Sequence, residues 1–452
     1  MKKFSTLLLA VCIALSGIIT ACKKVSGPTF HIIQVEGVAW ASNVTTSTGM
    51  IASTPEIEGQ NEVTLTASDG DLLYMMNSDD LQLYYRYSSK DGRDLVVTFD
   101  TLQAIKVYLN GKLNYMELPE SSSHEEFEAL TDPEISQLST LNINGPLNNH
   151  LISILEEHKS LLQGLSLVLE NAAGDPDLTN LLSICRPEFL VLDDSWHLPE
   201  PGANNIFEDL ELLWIYEYVP TLAKAVGGCR DLESLIIYGW EPLPGELMPL
   251  SSLKKLKNLT LEESYMTSLQ NIEFPESLFS LSLIMCDTLS DIDQLQKLQE
   301  LCRLNLTLCG NVNNMGMLRN LESLRWVSFP INITQQEFHE LSGSLKQLEV
   351  VELNTCTEIS DLSPLLQLEQ LKTLALFLEK EQLVGLDSLK QLELLILTDE
   401  LFDDNTEWIK ELRASLPNTK IVPGSGMCLG SGWLLLLFPL ILLFRLSFRR
   451  KE

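Results

Sequence analysis

Between Leu278 and Leu324 the hydrophobic positions repeat as a unit. Leu278, Leu281, Leu283, Cys286, Leu289, Ile292, Leu295 and Leu298 recur as Leu301, Leu304, Leu306, Cys309, Val312, Met315, Leu318 and Leu321, every pair 23 residues apart. A heptad coiled coil is excluded, because Leu281 and Leu283 alternate as neighbours in a strand do before the spacing returns to threes. Each unit is therefore a short strand, a turn and a compact return segment. A single unit has nothing to bury its apolar side against, so the copies must stack into a solenoid.

Extending the pattern gives first positions at Leu138, Leu162, Pro187, Leu210, Leu232, Leu256, Leu278, Leu301, Leu324, Leu348, Leu371, Leu392 and Leu416, with gaps of 21 to 25 residues. The match is tight from Leu256 to Leu376. Before it, Pro187 replaces a leucine, and Tyr218 or Trp240 fills the turn position. The acidic stretch from Ser121 to Leu130 predicts a helix start, since Glu125, Glu126 and Glu128 suit its positive end. Thr406 to Leu416 reads as an amphipathic helix before a terminal repeat that ends at Ile421.

Residues 25–123 lack the leucine period. Val63–Ala67, Leu81–Tyr87, Leu95–Phe99 and Ile105–Leu109 alternate apolar with polar residues, separated by Asp69-Gly70, Asp91-Gly92 and Asn110-Gly111. These are the marks of strands and hairpins. Asn-Gly is the sharpest, because both residues tolerate the positive φ of a two-residue turn. This small β-rich region (22–123) is expected to cap the first repeat, whose bare end would expose unpaired backbone.

The motif Leu-x-x-Leu-x-Leu-x-x-Cys at 278–286 and 301–309 resembles the leucine-rich repeat family, and its length is similar to that of the bacterial internalin-like class. The resemblance implies an α/β repeat solenoid over 124–422, about 13 repeats, with parallel strands on the concave face and 3-10 or short helical returns. It also implies that Cys286, Cys309 and Cys356 point inward to serve the turn backbone. Stacking at about 4.8 Å leaves a Cys286–Cys309 bridge open on distance alone.

Both termini carry targeting signals. Lys2, Lys3 and the apolar run from Leu7 to Ile19 form a secretory signal, residues 1–21. Ile19-Thr20-Ala21-Cys22 resembles a bacterial lipobox, which implies lipidation of Cys22; ordinary cleavage after Ala21 is the alternative. After a Gly/Ser linker (423–432), the apolar stretch 433–448 is read as one C-terminal transmembrane or sorting helix, and 449–452 as a basic cytoplasmic tail. The tail is similar to bacterial sorting signals that a membrane-embedded protease cleaves. A permanent anchor is the equal alternative.

Charge then narrows the partners. With 62 acidic and 31 basic residues, net −31, the surface opposes nucleic acid and anionic membranes. Histidines 31, 124, 150, 158, 197 and 339 show no ligand spacing, so no metal, cofactor or catalytic set is expected. Asp193-Asp194 reads as solvated acidic surface.

Alternation along the strands predicts that Phe189, Trp214, Tyr216 and Tyr238 share the concave face, with Trp240 just beyond a strand end. Rigid exposed aromatics favour binding. The chain is thus expected to be an exported, membrane-anchored protein of the bacterial envelope or cell surface that recognises a protein or glycan through its concave face. A structural spacer or assembly protein is the alternative, and an enzyme in the N-terminal region ranks last. On this reading Trp214→Ala spares the fold, and Asn305→Ala, between Leu304 and Leu306, costs less than about 0.5 kcal/mol.

Overall fold

Among the described residues the repeats fold as thirteen parallel strands in one sheet, held in register by equivalent leucines. They are β10 (Thr140–Asn144), β11 (Ser166–Glu170), β12 (Phe189–Leu192), β13 (Leu212–Tyr216), β14 (Ser234–Tyr238), β15 (Asn258–Glu262) and β16 (Ser280–Ile284). There follow β17 (Arg303–Asn305), β18 (Trp326–Phe329), β19 (Val350–Asn354), β20 (Thr373–Phe377), β21 (Leu394–Thr398) and β22 (Lys420–Ser425). The computed structural model describes residues 30–43, 51–53, 62–77, 82–100, 105–118, 125–147, 149–171, 178–193, 199, 207–216, 226–242, 247–354, 356–398, 401 and 406–425. The signal segment, Cys22 and the C-terminal apolar stretch lie outside them. Among the described residues no helix is long and apolar enough to cross a membrane.

One side chain set faces the returns. Leu259 and Leu261, Leu281 and Leu283, and Leu304 and Leu306 are at most 1% exposed and join the return leucines in a single apolar core. Each such leucine contributes about 1.5–3 kcal/mol by leaving water. Half of the returns, among the described residues, are 3-10 turns, such as Asp293–Lys297 and Ser363–Gln367, because the short period leaves little room for a longer helix. Where the gap allows, helices appear at Asn149–Glu157, Thr179–Cys185, Gln335–Ser344 and Thr406–Ser415. The third is started by Thr334, whose hydroxyl accepts from the Glu337 N–H (3.2 Å) while the Glu337 carboxylate accepts from the Thr334 N–H (3.1 Å).

Two helices also shift the register. Leu141 pairs with Leu167 and Leu395 with Ile421, so the true first positions of those repeats are Gly164 and Asn418, two residues after Leu162 and Leu416. In both repeats the leucine is buried just after a helix and two residues ahead of the expected slot.

The turn cysteines act as the pattern implies. Cys286, Cys309 and Cys356 are fully buried, and their thiols donate to the carbonyls of Leu261 (3.6 Å), Leu283 (3.2 Å) and Pro330 (3.5 Å) in the preceding repeat. All six cysteines of the described residues are free.

Among the described residues the N-terminal region makes nine strands: β1 (His31–Glu36), β2 (Trp40–Asn43), β3 (Ile51–Ser53), β4 (Glu62–Ala67), β5 (Leu72–Met76), β6 (Gln82–Arg86), β7 (Asp94–Asp100), β8 (Ile105–Leu109) and β9 (Lys112–Leu118). Asn110 (φ 50°) and Gly111 (φ 77°) form the tight turn between β8 and β9. Strands β2, β5 and β6 form a separate three-stranded antiparallel sheet.

The remaining N-terminal strands join the solenoid sheet at both ends. β9 runs parallel to β10, and β3 runs antiparallel to β22. Between them β3 pairs with β4, β4 with β1, β1 with β7, β7 with β8 and β8 with β9. The 19-stranded sheet therefore closes on itself, and full closure is what removes exposed edges.

Candidate functional site

Because side chains alternate, each solenoid strand sends one set into the core and the other to the concave side. Phe189 and Trp214 are on that side, as alternation predicts, but they are 3% and 2% exposed. With Val168, Val191, Leu212 and Ile236 they merge into one apolar cluster with Ile33, Leu73, Tyr74, Tyr84 and Tyr115 of the N-terminal strands. Tyr84 meets Trp214 edge-on at 5.9 Å and Tyr74 at 5.0 Å. The concave floor is an internal interface, and these aromatics anchor the chain's own N-terminal region.

A second set of contacts holds the far side. The Arg303 guanidinium reaches both carboxylate oxygens of Asp71 at 3.0 and 3.3 Å, with both side chains buried. Asp71 also accepts from the Asn43 amide and the Ser68 N–H, each at 2.8 Å. Arg303 lies 5.0 Å from the Phe30 ring and 5.5 Å from Trp326, two rings that meet edge-to-face at 5.2 Å and together favour a cation. Further round, Ala375, Leu394, Ile396 and Val422 pack with Ile32 of β1.

Trp240 is not on a binding face. It fills the turn position that Cys286 and Cys309 occupy in later repeats and is fully buried in the solenoid core. Tyr216 is the strand partner of Tyr238.

Tyr238 is the one proposed aromatic whose described side chain keeps part of its surface. Its hydroxyl donates to the Glu263 carboxylate, and burial, followed by that bond, holds the phenol above its ordinary value, so it stays neutral. Glu263 is brought there by a left-handed turn (φ 48°) directly after β15. Two residues on, Tyr265 is 60% exposed, and its N–H donates to the Trp240 carbonyl (2.9 Å). The segments Tyr238–Pro242 and Glu262–Met266 that carry this rim contain Glu241, Glu262 and Glu263 and no Lys or Arg. Tyr265 escapes the strand pattern because it lies beyond the strand, in a turn whose direction only the φ of Glu263 sets.

No family model and no curated protein matches the chain. Solved structures similar to it include an internalin from Listeria monocytogenes, 18% identical, covering 66% of this chain and 92% of that one with a TM-score of 0.38. An internalin C2 of the same organism is 23% identical over 39% of this chain and 75% of that one, TM-score 0.28. The Toll–Spatzle complex of Drosophila aligns at 14% identity over 73% of this chain and 47% of that one, TM-score 0.42.

Proposed function

We propose that this leucine-rich repeat solenoid is an exported, envelope-anchored binding protein that takes a protein or glycan ligand on the rim around Tyr238, Glu263 and Tyr265. The observation that carries the reading is the exposure of Tyr265 beside a half-buried tyrosine, on a molecule whose concave floor is otherwise covered. An exposed aromatic on a rigid turn loses little entropy when it is buried by a partner. Tyr216 belongs to the same site as the strand neighbour of Tyr238. Phe189 and Trp214 set the shape of the floor beneath it. Anchoring rests on the lipobox-like Cys22 junction and on the apolar segment 433–448 before its basic tail.

The filled interior favours one second reading, a rigid spacer whose concave face has no external ligand. Ligand capture by the full-length protein from envelope extracts separates the two. Tyr265→Ala is expected to reduce capture about thirtyfold, the loss of a central aromatic anchor. Capture unaffected by both Tyr265→Ala and Tyr238→Ala would leave the spacer.

A further inference from the structure

The seam where the N-terminal region joins the first repeats carries a row of carboxylates. Glu117 of β9, Glu170 of β11 and Asp193 just after β12 lie along the concave side, with Asn142 and Asn144 of β10 standing between the first two. Amides are threaded between them. The Asn142 amide donates to the Tyr115 hydroxyl (2.9 Å) and to Glu170 (3.0 Å), and the Asn144 amide donates to Glu117 (3.0 Å). Asn171 donates from its side chain to the Asn144 oxygen (2.8 Å) and from its backbone to Asp193 (2.7 Å). The Tyr115 hydroxyl also reaches Glu117 at 3.4 Å.

Ionising Glu170 in this row is costly, because its charge loses solvent and is repelled by Glu117 and Asp193 on either side. We propose that this row is a proton-sensitive clasp: a proton on Glu170 holds β9 against the first repeats, and its loss loosens that seam.

The groups that act on Glu170 are Asn142 of β10, Glu117 of β9 and Asp193; Tyr115 of β9 and Tyr74 of β5 complete the row on the N-terminal side. Burial pushes the Glu170 carboxyl up to about 7, against the Asn142 hydrogen bond, and the two acids add to the rise. Burial likewise keeps the Tyr115 phenol neutral. A carboxyl that binds its proton more tightly in the closed state stabilises closure fully when the solution is acidic. That contribution is lost as pH rises from the ordinary carboxylate range, near 4.5, through about 7.

Hydrogen exchange of the full-length protein tests this, reading the β9 amides against those of β16 in the same molecule so that intrinsic pH effects cancel. The β9 to β16 rate ratio is expected to rise between about pH 5 and 7, by no more than about tenfold per pH unit for one proton. Glu170→Gln should flatten the profile. Glu117→Gln, which removes one neighbouring charge, should move its midpoint to lower pH. A flat wild-type profile overturns the proposal, as does a Glu170→Gln profile that still rises. If Glu170→Gln does not fold, an unmoved midpoint in Glu117→Gln overturns it as well.

Discussion

The two halves of the concave face are both buried, yet they are built from opposite materials. Under β11 to β14 the floor is apolar: Val168, Phe189, Val191, Leu212, Trp214 and Ile236. Under β15 to β19 it is mainly polar, Trp326 and Val350 apart, with Thr260, Ser282, Arg303, Asn305, Thr307, Ser328 and Asn354 each at most 4% exposed. The first half gains by removing hydrocarbon from water and tolerates small shifts, because dispersion and hydrophobic burial are non-directional. In the second half buried groups must find partners of the right geometry. The Thr307 and Ser328 hydroxyls meet at 2.6 Å, the Asn354 amide donates to both, and Arg303 meets Asp71. Apolar area thus supplies attraction for the N-terminal region, and the polar half fixes where that region sits.

The largest expected effect follows from that division. Arg303→Ala leaves the Asp71 carboxylate buried with only the Asn43 and Ser68 donors, and breaking one side of a buried pair costs about 3–5 kcal/mol. Replacing both partners, Arg303→Met with Asp71→Leu, should recover most of the loss, because no uncompensated charge remains. Denaturant midpoints of the single and double variants check this; a single variant as stable as wild type would mean that water reaches Asp71. Next in size is Trp214→Ala, expected to cost about 3 kcal/mol by opening a cavity between Tyr84 and the floor. Its loss should be graded, with Trp214→Phe costing less, because a phenyl ring refills most of the space against Tyr84. A melting point unchanged by Trp214→Ala would restore the open concave face expected from the strand pattern.

Much of the solenoid was legible because its information is local. A strand of period two followed by threes, written twice at 23-residue spacing, determines which side of Leu281 and Leu304 is core, and both are fully buried. The two-residue register errors at Leu162 and Leu416 fall at two of the four helical returns, where the leucine that follows the helix is buried two residues before the strand's own first position. The Asn110-Gly111 hairpin was readable for the same local reason. What covers Trp214 was not readable. Tyr84 is 130 residues away from it, and an aromatic that faces an external ligand has the same strand pattern as one that faces another part of its own chain. Asp71 and Arg303, 232 residues apart, look like ordinary surface charges until the ring closes. For the candidate site, alternation put Tyr238 on the concave side, whereas Tyr265 depended on a left-handed turn that no residue-type preference marks at Glu263.

The smallest effect is the most discriminating, because the two views of the concave face disagree on it by sign of environment. Were Asn305 exposed, its replacement by alanine would cost less than about 0.5 kcal/mol. In the structure Asn305 is 4% exposed, and its side-chain oxygen accepts the Thr307 N–H at 2.8 Å. Thr307 is fully buried, so Asn305→Ala strands a backbone donor away from water. An unsatisfied buried donor costs about 1–3 kcal/mol, and loss of one neutral acceptor places this variant near the low end, about 1–2 kcal/mol. Asn305→Asp keeps the acceptor but adds a charge to a face already holding Glu262 and Glu352, both buried, so it should not rescue stability at neutral pH. Under acid conditions that protonate the new carboxyl, the Asp variant should lose less relative to wild type than it does at neutrality. Chemical denaturation at both pH values measures the difference. A cost for Asn305→Ala below about 0.5 kcal/mol would mean that the polar half of the floor is wet, and that only the apolar half holds the N-terminal region in place.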